Sequence, residues 1–274
     1  MIIQNLVKKL IEIGIEKNEA KKEVKMLLEH FCNYTDKDLL LGRDLSNENI
    51  KIIEEKLALR IQKKIPVQYI IGSAWFMGNF FKVTPDVLIP RDETEILVRK
   101  AIEIINQNQF EDILDIGTGS GCIACTIAKN TNATVLGVDI SSDALRIALD
   151  NVTKLNINNK AIFRKSDLFK NIREGELFDM IISNPPYIPI GTELSDEVKN
   201  EPSLALFAQD NGLEFYKKII DQAPNYLLEN GYLMFELGIN ESYDVKKMMK
   251  DNFRDIEIEK DLSGIDRVIW GRKK

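Results

Sequence analysis

From Asp112 to the C-terminus, short apolar runs alternate with segments of helical period, and this alternation constrains the fold more than any other feature of the 274-residue chain. Residues 113–116, 134–138, 161–164 and 180–183 are apolar runs of strand length. Between and after them, 122–129, 143–155, 213–228 and 243–250 carry apolar residues at helical spacing, with 232–237 as a further strand. Residues 256–259 and 267–270 read as a closing pair of strands. Strands that alternate with helices imply a parallel sheet covered on both faces, an α/β Rossmann-like architecture. In such sheets ligands bind beyond the carboxyl ends of the strands, so functional residues are sought there.

The first 64 residues carry no strand signal and predict a small all-helical domain. Leu6, Leu10, Ile11 and Ile15 recur at helical spacing, as do Val24, Leu27, Leu28 and Phe31. Gly14 reads as a helix stop, Thr35 as a cap for a short helix reaching Leu41, and Ser46 as a cap for a helix over 47–62. Residues 65–90 hold Pro66, Gly72, Gly78, Pro85 and Pro90 among aromatic and β-branched residues. This stretch predicts a linker with a hairpin over 76–83 turning near Gly78-Asn79. The expected division is therefore a helical domain (1–64), a linker (65–90) and a catalytic domain (91–274) that opens with a helix over 92–106.

Asp115-Ile116-Gly117-Thr118-Gly119-Ser120-Gly121 follows the first strand of the alternating region and opens a helix. Glycines there let the backbone approach a ligand closely. The spacing is G-x-G-x-G, whereas the dinucleotide fingerprint is G-x-G-x-x-G. The acid before the first glycine suits a cationic ligand better than a pyrophosphate. S-adenosylmethionine, which carries an ammonium and a sulfonium and no phosphate, fits that pattern. Asp139 ends the next strand, where an acid that grips ribose hydroxyls belongs. Asp167, after the third strand, is placed to accept from an adenine amino group, with Leu168 over the ring face.

Ile182-Ser183-Asn184-Pro185-Pro186-Tyr187 follows the fourth strand. Two consecutive prolines fix φ and remove two backbone donors. Asn184 offers an acceptor oxygen and a donor NH2, and Tyr187 an aromatic face. The arrangement suits a substrate NH2 group held by the Asn184 side-chain oxygen and the Pro185 carbonyl. Asn184, Pro185 and Tyr187 are thus the catalytic candidates, with Pro186 completing the substrate turn.

These strings resemble the HemK/PrmC family, which methylates the glutamine of the Gly-Gly-Gln motif in class 1 peptide chain release factors. The resemblance covers essentially the whole chain: 66–72 and 87–95 before the glycine loop, the loop itself, Asn184 to Tyr187, Glu201-Pro202 with Ala205-Leu206, and 261–267. It implies that Gly117 to Gly121, Asp139, Leu168 and Asn184 line the S-adenosylmethionine pocket. It further implies that Asn184 and Pro185 hold the glutamine amide and that the helical domain contacts the release factor. Two departures, Phe207-Ala208-Gln209 and Asn240, touch only loop geometry.

Two other readings compete. A methyltransferase acting on adenine N6 or an rRNA base shares the logic of the Asn-Pro-Pro-Tyr turn, but it would need phosphate contacts, and the formal net charge is −6. A non-enzymatic S-adenosylmethionine-binding protein would not need an intact turn. Cys122-x-x-Cys125 has no second cysteine pair and only His30 to complete a metal site, so it reads as two small core residues and no metal is expected. With no signal peptide and no apolar run of membrane-spanning length, the expected setting is cytoplasmic, and the expected form is a monomer without direct nucleic-acid binding.

Overall fold

The computed structural model describes residues 2–274. The chain divides into two compact units, Met1–Ser73 together with Leu194–Asn200, and Ala74–Glu193 together with Glu201–Lys274.

The first unit is helical: α1 (Ile2–Glu12), α2 (Lys17–Cys32), α3 (Asp36–Leu40), α4 (Asn47–Lys63) and α5 (Val67–Ile71). Thr35 and Asp38 form a reciprocal capping box on α3, and Ser46 caps α4. Leu6, Leu10, Val24, Leu27, Ile53 and Leu57 pack a single core. One charged residue occupies the core stripe of α4. Arg60 is 3% exposed and meets the equally buried Glu23 through two hydrogen bonds of 2.8 Å. Glu197, from the inserted segment, adds a third contact at 2.7 Å and is 40% exposed.

A hairpin, β1 (Ser73–Phe76) and β2 (Asn79–Lys82), whose first residue is the last of the first unit, opens the second unit and is followed by α6 (Thr94–Asn108). It then alternates β3 (Asp112–Ile116), α7 (Cys122–Asn130), β4 (Thr134–Asp139), α8 (Ser142–Lys154), β5 (Ala161–Lys165) and β6 (Phe178–Ser183). A two-residue ladder joins β7 (Ile188–Pro189) to β8 (Phe207–Ala208). The chain ends with α9 (Glu214–Gln222), β9 (Leu227–Glu236), α10 (Ser242–Met249), β10 (Phe253–Lys260) and β11 (Asp266–Lys273). Seven strands form one sheet in the order β10-β11-β9-β6-β3-β4-β5. β3, β4, β5, β6 and β9 run parallel; β11 is antiparallel to both its neighbours, β9 and β10, and is the one reversed strand of the sheet.

Because side chains alternate across a strand, each strand feeds two cores. Ile113, Met180, Ile182 and Met234 join α6 and α7 on one face; Leu114, Ile181, Leu233 and Phe235 join α9 and α10 on the other. Burial on both faces explains why these strands read as continuous apolar runs.

Four expectations need correction. The segment 65–90 is not a separate linker: α5 packs in the helical core, and the hairpin packs in the core of the second unit, so the division falls at 73/74 and not at 64 and 90. Pro66 and Gly72, read as loop punctuation, are the two caps of α5. The hairpin turns at Met77-Gly78, both with positive φ, which is the twist two-residue hairpins favour. The helix expected over 213–228 stops at Gln222, because Pro224 lacks a donor and forces a 3-10 turn over Ala223–Asn225; β9 then begins at Leu227.

Candidate active site

A cavity of about 320 Å³ lies at the carboxyl ends of the parallel strands, and most of the chemistry-bearing residues gather at or beside it. After β3 the glycine loop turns sharply, and the N–H groups of Gly117 and Thr118 both donate to the Val138 carbonyl. Gly121 enters α7 at φ +77°, and a Cβ there would lie 3.0 Å from Phe163 and 3.1 Å from Ala148. At Gly137 on β4 a Cβ would lie 2.6 Å from Phe163 and 2.7 Å from the Thr118 hydroxyl. Both positions require glycine because the loop packs directly onto β4 and α8.

Gly117, Gly119, Asp139, Ile140, Asp167 and Leu168 line one part of the cavity. The Asp139 carboxylate accepts from the Gly119 N–H at 2.9 Å and from the Ser141 N–H at 2.8 Å, and burial raises its pKa. Asp167 pairs with Lys170 at 2.5 Å, and Leu168 adopts φ +50°. Ile116, Val138, Phe215 and Ile219 give the slot apolar walls. Four acids (Asp86, Asp139, Asp167 and Glu214) face a single lysine, Lys218, which is already paired with Glu214 at 2.6 Å. An apolar slot rimmed by acids fits a nucleoside with a cationic tail and would repel a phosphate. On that chemistry the residues present fit S-adenosylmethionine.

Asn184, Pro185 and Pro186 form the adjoining wall. The Asn184 Nδ2 donates to the Thr94 hydroxyl at 3.2 Å, and that hydroxyl donates to Glu236 Oε2 at 2.6 Å. The Tyr187 hydroxyl donates to Glu236 Oε1 at 3.5 Å. Sheet register brings these groups together: Ser183 pairs with Phe235, so Asn184 and Glu236 leave neighbouring strands at the same level. Glu236 is buried, and burial pushes its carboxyl up to about 7; the Tyr187 phenol is pushed above its ordinary value by burial and by the nearby Glu236. Glu201 is a second buried acid. It accepts from the Ile89 N–H at 3.1 Å and pairs with Arg91, fixing the segment that carries Val87 and Leu88 to the cavity wall.

The structure separates the sequence candidates into two groups. Gly117, Gly119, Asp139, Asp167, Leu168, Asn184, Pro185 and Pro186 line the cavity; Asp115, Thr118, Ser120, Gly121 and Tyr187 do not. Asp115 shares the α7 face of β3 with Ile113, and its carboxylate accepts from Thr118 at 2.6 Å. It is buried completely, which pushes its carboxyl up to about 7. It therefore braces the loop from behind and does not stand before the ligand as an acid at that position suggested. Tyr187 sits against Glu236 instead of over the cavity. The Cys122 and Cys125 thiols are buried in α7, and that burial raises both their pKa values. Sequence reasoning missed Thr94, Glu236 and Glu201 as site residues. Thr94 lies in the 87–95 string and Glu236 at a strand end, but neither received a site role of its own, because nothing local in the sequence brings positions 142 residues apart into contact.

A doubly wound sheet with an acid-rimmed apolar slot beside an Asn-Pro-Pro-Tyr turn defines an S-adenosylmethionine-dependent methyltransferase. The methyltransferase small domain model matches residues 93–203, and the PrmC N-terminal domain model matches residues 2–72. The chain belongs to the PrmC family of release factor glutamine methyltransferases. The release factor glutamine methyltransferase of Fusobacterium nucleatum is 42% identical over 238 residues, 85% of this chain and 67% of that protein. The enzyme of the same name from Koribacter versatilis is 38% identical over 237 residues, 84% of this chain and 82% of that protein. A T. thermophilus 16S rRNA methyltransferase in complex with AdoMet and guanosine superposes with a TM-score of 0.56 at 18% identity, over 74% of this chain and 50% of that one; at that identity the likeness concerns the fold alone.

Proposed function

We propose that this protein transfers the methyl group of S-adenosylmethionine to the side-chain amide nitrogen (N5) of the glutamine in the Gly-Gly-Gln motif of class 1 peptide chain release factors. The observation that carries the reading is the Asn184 amide, anchored by its NH2 to Thr94 and set in the cavity wall beside Pro185. With its NH2 occupied, Asn184 has its side-chain oxygen left to accept from a substrate NH2. Pro185 adds its carbonyl. Two acceptors on one rigid turn take both protons of a planar NH2 and fix the direction of its nitrogen.

When bound, the cofactor supplies an electrophilic methyl on a sulfonium. In this reading Gly117, Gly119, Asp139, Asp167 and Leu168 hold it, with Asp115, Thr118, Ser120 and Gly121 shaping the loop. The chain's own contribution is positioning. Amide resonance is worth ~18–20 kcal/mol as a rotation barrier, so the nitrogen is a poor nucleophile that can pyramidalise only in part. Near-attack alignment supplies roughly 7–11 kcal/mol, which is the scale required. No strong base is needed, because the nitrogen becomes acidic as it is alkylated.

The helical unit recognises the release factor, and the setting is cytoplasmic with the enzyme acting as a monomer. Among the described residues no helix is long and apolar enough to cross a membrane. Intact-mass analysis of a release factor co-expressed with and without this protein tests the reading: a gain of one methyl on the Gly-Gly-Gln peptide is expected. Labelled cofactor offered with release factor and with rRNA separates the rival, since label in RNA alone would overturn the assignment.

A further inference from the structure

An asparagine amide presents an oxygen on one side and an NH2 on the other, and turning it over exchanges acceptor for donor at nearly the same shape. At position 184 that choice decides whether a substrate NH2 is bound or repelled. The neighbour that sets it is the Thr94 hydroxyl, 3.2 Å from Nδ2. A hydroxyl has one proton. Here it lies 2.6 Å from Glu236 Oε2, while Oε1 receives the Tyr187 hydroxyl. A carboxylate that takes a donor on each oxygen acts as an acceptor only. The Thr94 proton is therefore committed to Glu236, the Thr94 oxygen can only accept, and Asn184 must give it NH2.

We propose that Glu236, acting through Thr94, is a positioning residue that fixes the Asn184 amide with its oxygen toward the substrate, and that only the ionised carboxylate does so. This rests on the reading of Asn184 as the substrate-NH2 acceptor. A protonated Glu236 would donate to Thr94, whose own proton would then turn to Asn184 and draw its oxygen inward. The amide would face the substrate with NH2, and two donors would oppose each other.

The geometry favours such a switch. Glu236 is 1% exposed at the end of β9, between α6, which brings Thr94, and the turn that brings Tyr187. The charged groups that face it are Glu93 from the approach to α6, Arg91 from the same segment and Arg267 from β11; the two arginines favour the anion and Glu93 opposes it, while Cys122 on α7 and Tyr216 on α9, its other titratable neighbours beside Tyr187, are held neutral by burial. Arg91 and Arg267 already hold Glu201 and Asp261, so neither neutralises Glu236 directly. Desolvation dominates and pushes the carboxyl up to about 7.

The test compares Thr94→Val, Thr94→Ser, Glu236→Gln and Asn184→Ala in single-turnover methyl transfer to a release factor at saturating cofactor, with cofactor affinity by calorimetry. Thr94→Val should lower the rate about 10–100-fold, the scale of one lost charge-linked hydrogen bond, with cofactor affinity within about twofold. Thr94→Ser should recover most of the loss. The wild-type rate should fall as pH drops below about 7, and Glu236→Gln should lose that acid limb. If Asn184→Ala is inactive while Thr94→Val stays within about twofold of wild type, the relay is wrong and the functional reading stands. If Asn184→Ala is itself fully active, the functional reading fails. An activity-free measurement then decides the relay: the Asn184 side-chain NH2 resonance, assigned by its loss in Asn184→Ala, should titrate near neutral pH in the wild type. A resonance that does not move between about pH 5 and pH 9 overturns the proposal even if Thr94→Val does not fold.

Discussion

At the residue scale the site depends on groups that gain their properties from burial. Asn184 is uncharged and commonplace, yet Thr94 holds its NH2 end, and in the proposed reading that makes it a directional acceptor. Asn184→Ala removes that acceptor and leaves the turn's backbone intact. A loss of methyl transfer well above tenfold is expected, about 1.4 kcal/mol or more of transition-state stabilisation, in steady-state assays with the release factor. A rate within twofold of wild type would remove Asn184 from the chemistry. Asp115 teaches the opposite lesson. Its position before the glycines suggested a ligand contact, but strand parity turns it to the α7 face, where the Thr118 hydroxyl donates to it. Residue type and spacing were legible in the sequence; which face a strand end presents was not.

At the element scale two joints stand out. The glycine loop closes onto β4 and α8 with no room for a methyl group at Gly121, which also enters α7 at φ +77°. Gly121→Ala should therefore destabilise the protein by about 1–3 kcal/mol, from overpacking and a positive φ together, and weaken cofactor binding measured by calorimetry. The second joint lies in the helical unit, where Arg60 occupies an apolar stripe position opposite Glu23. Arg60→Ala leaves Glu23 buried without its partner and should cost about 3–5 kcal/mol in denaturant titrations. Glu197→Ala removes only the half-exposed contact and should cost less than about 1 kcal/mol. Equal effects would refute this division of roles. Periodicity located most helices to within a few residues and the strands of the sheet to within a few more, but it ran α9 through Pro224 because Ala223 and Leu227 continue its apolar stripe. It missed α5 because Pro66 and Gly72 signal a turn as readily as a pair of caps.

At the scale of the whole molecule, three of the buried carboxyls of the second unit, Asp115, Glu236 and Glu241, are each pushed up to about 7 by desolvation. The sign follows from linkage. A raised folded-state value favours the protonated form, so its benefit is complete below the unfolded value near 4 and is lost as pH rises through about 7. A full shift of this size is worth on the order of 3 kcal/mol for a fully buried group. The paired carboxylates held low, Asp38 and Glu176 at about 2, lose their contribution only in stronger acid and lie outside that window. The cofactor-free protein should therefore melt at a lower temperature at about pH 8 than at about pH 5, and Glu236→Gln should flatten that slope. A melting temperature that rises across the same range would contradict the assignment. Function and stability pull apart at Glu236, because the anion that orients Asn184 is the form that burial disfavours.

The sequence by itself determined the architecture, the order of the units, the two motifs and the class of chemistry, because hydrophobic period, glycine spacing and a double proline are local properties that survive in one dimension. Tertiary structure alone decided that Asp115 faces away from the ligand cavity, that the chain divides at 73/74, that Leu194–Asn200 joins the helical unit, and that Thr94 and Glu236 stand behind Asn184. Those outcomes depend on which strand ends lie level in the sheet and on what packs against them. Sequence separation carries no record of either.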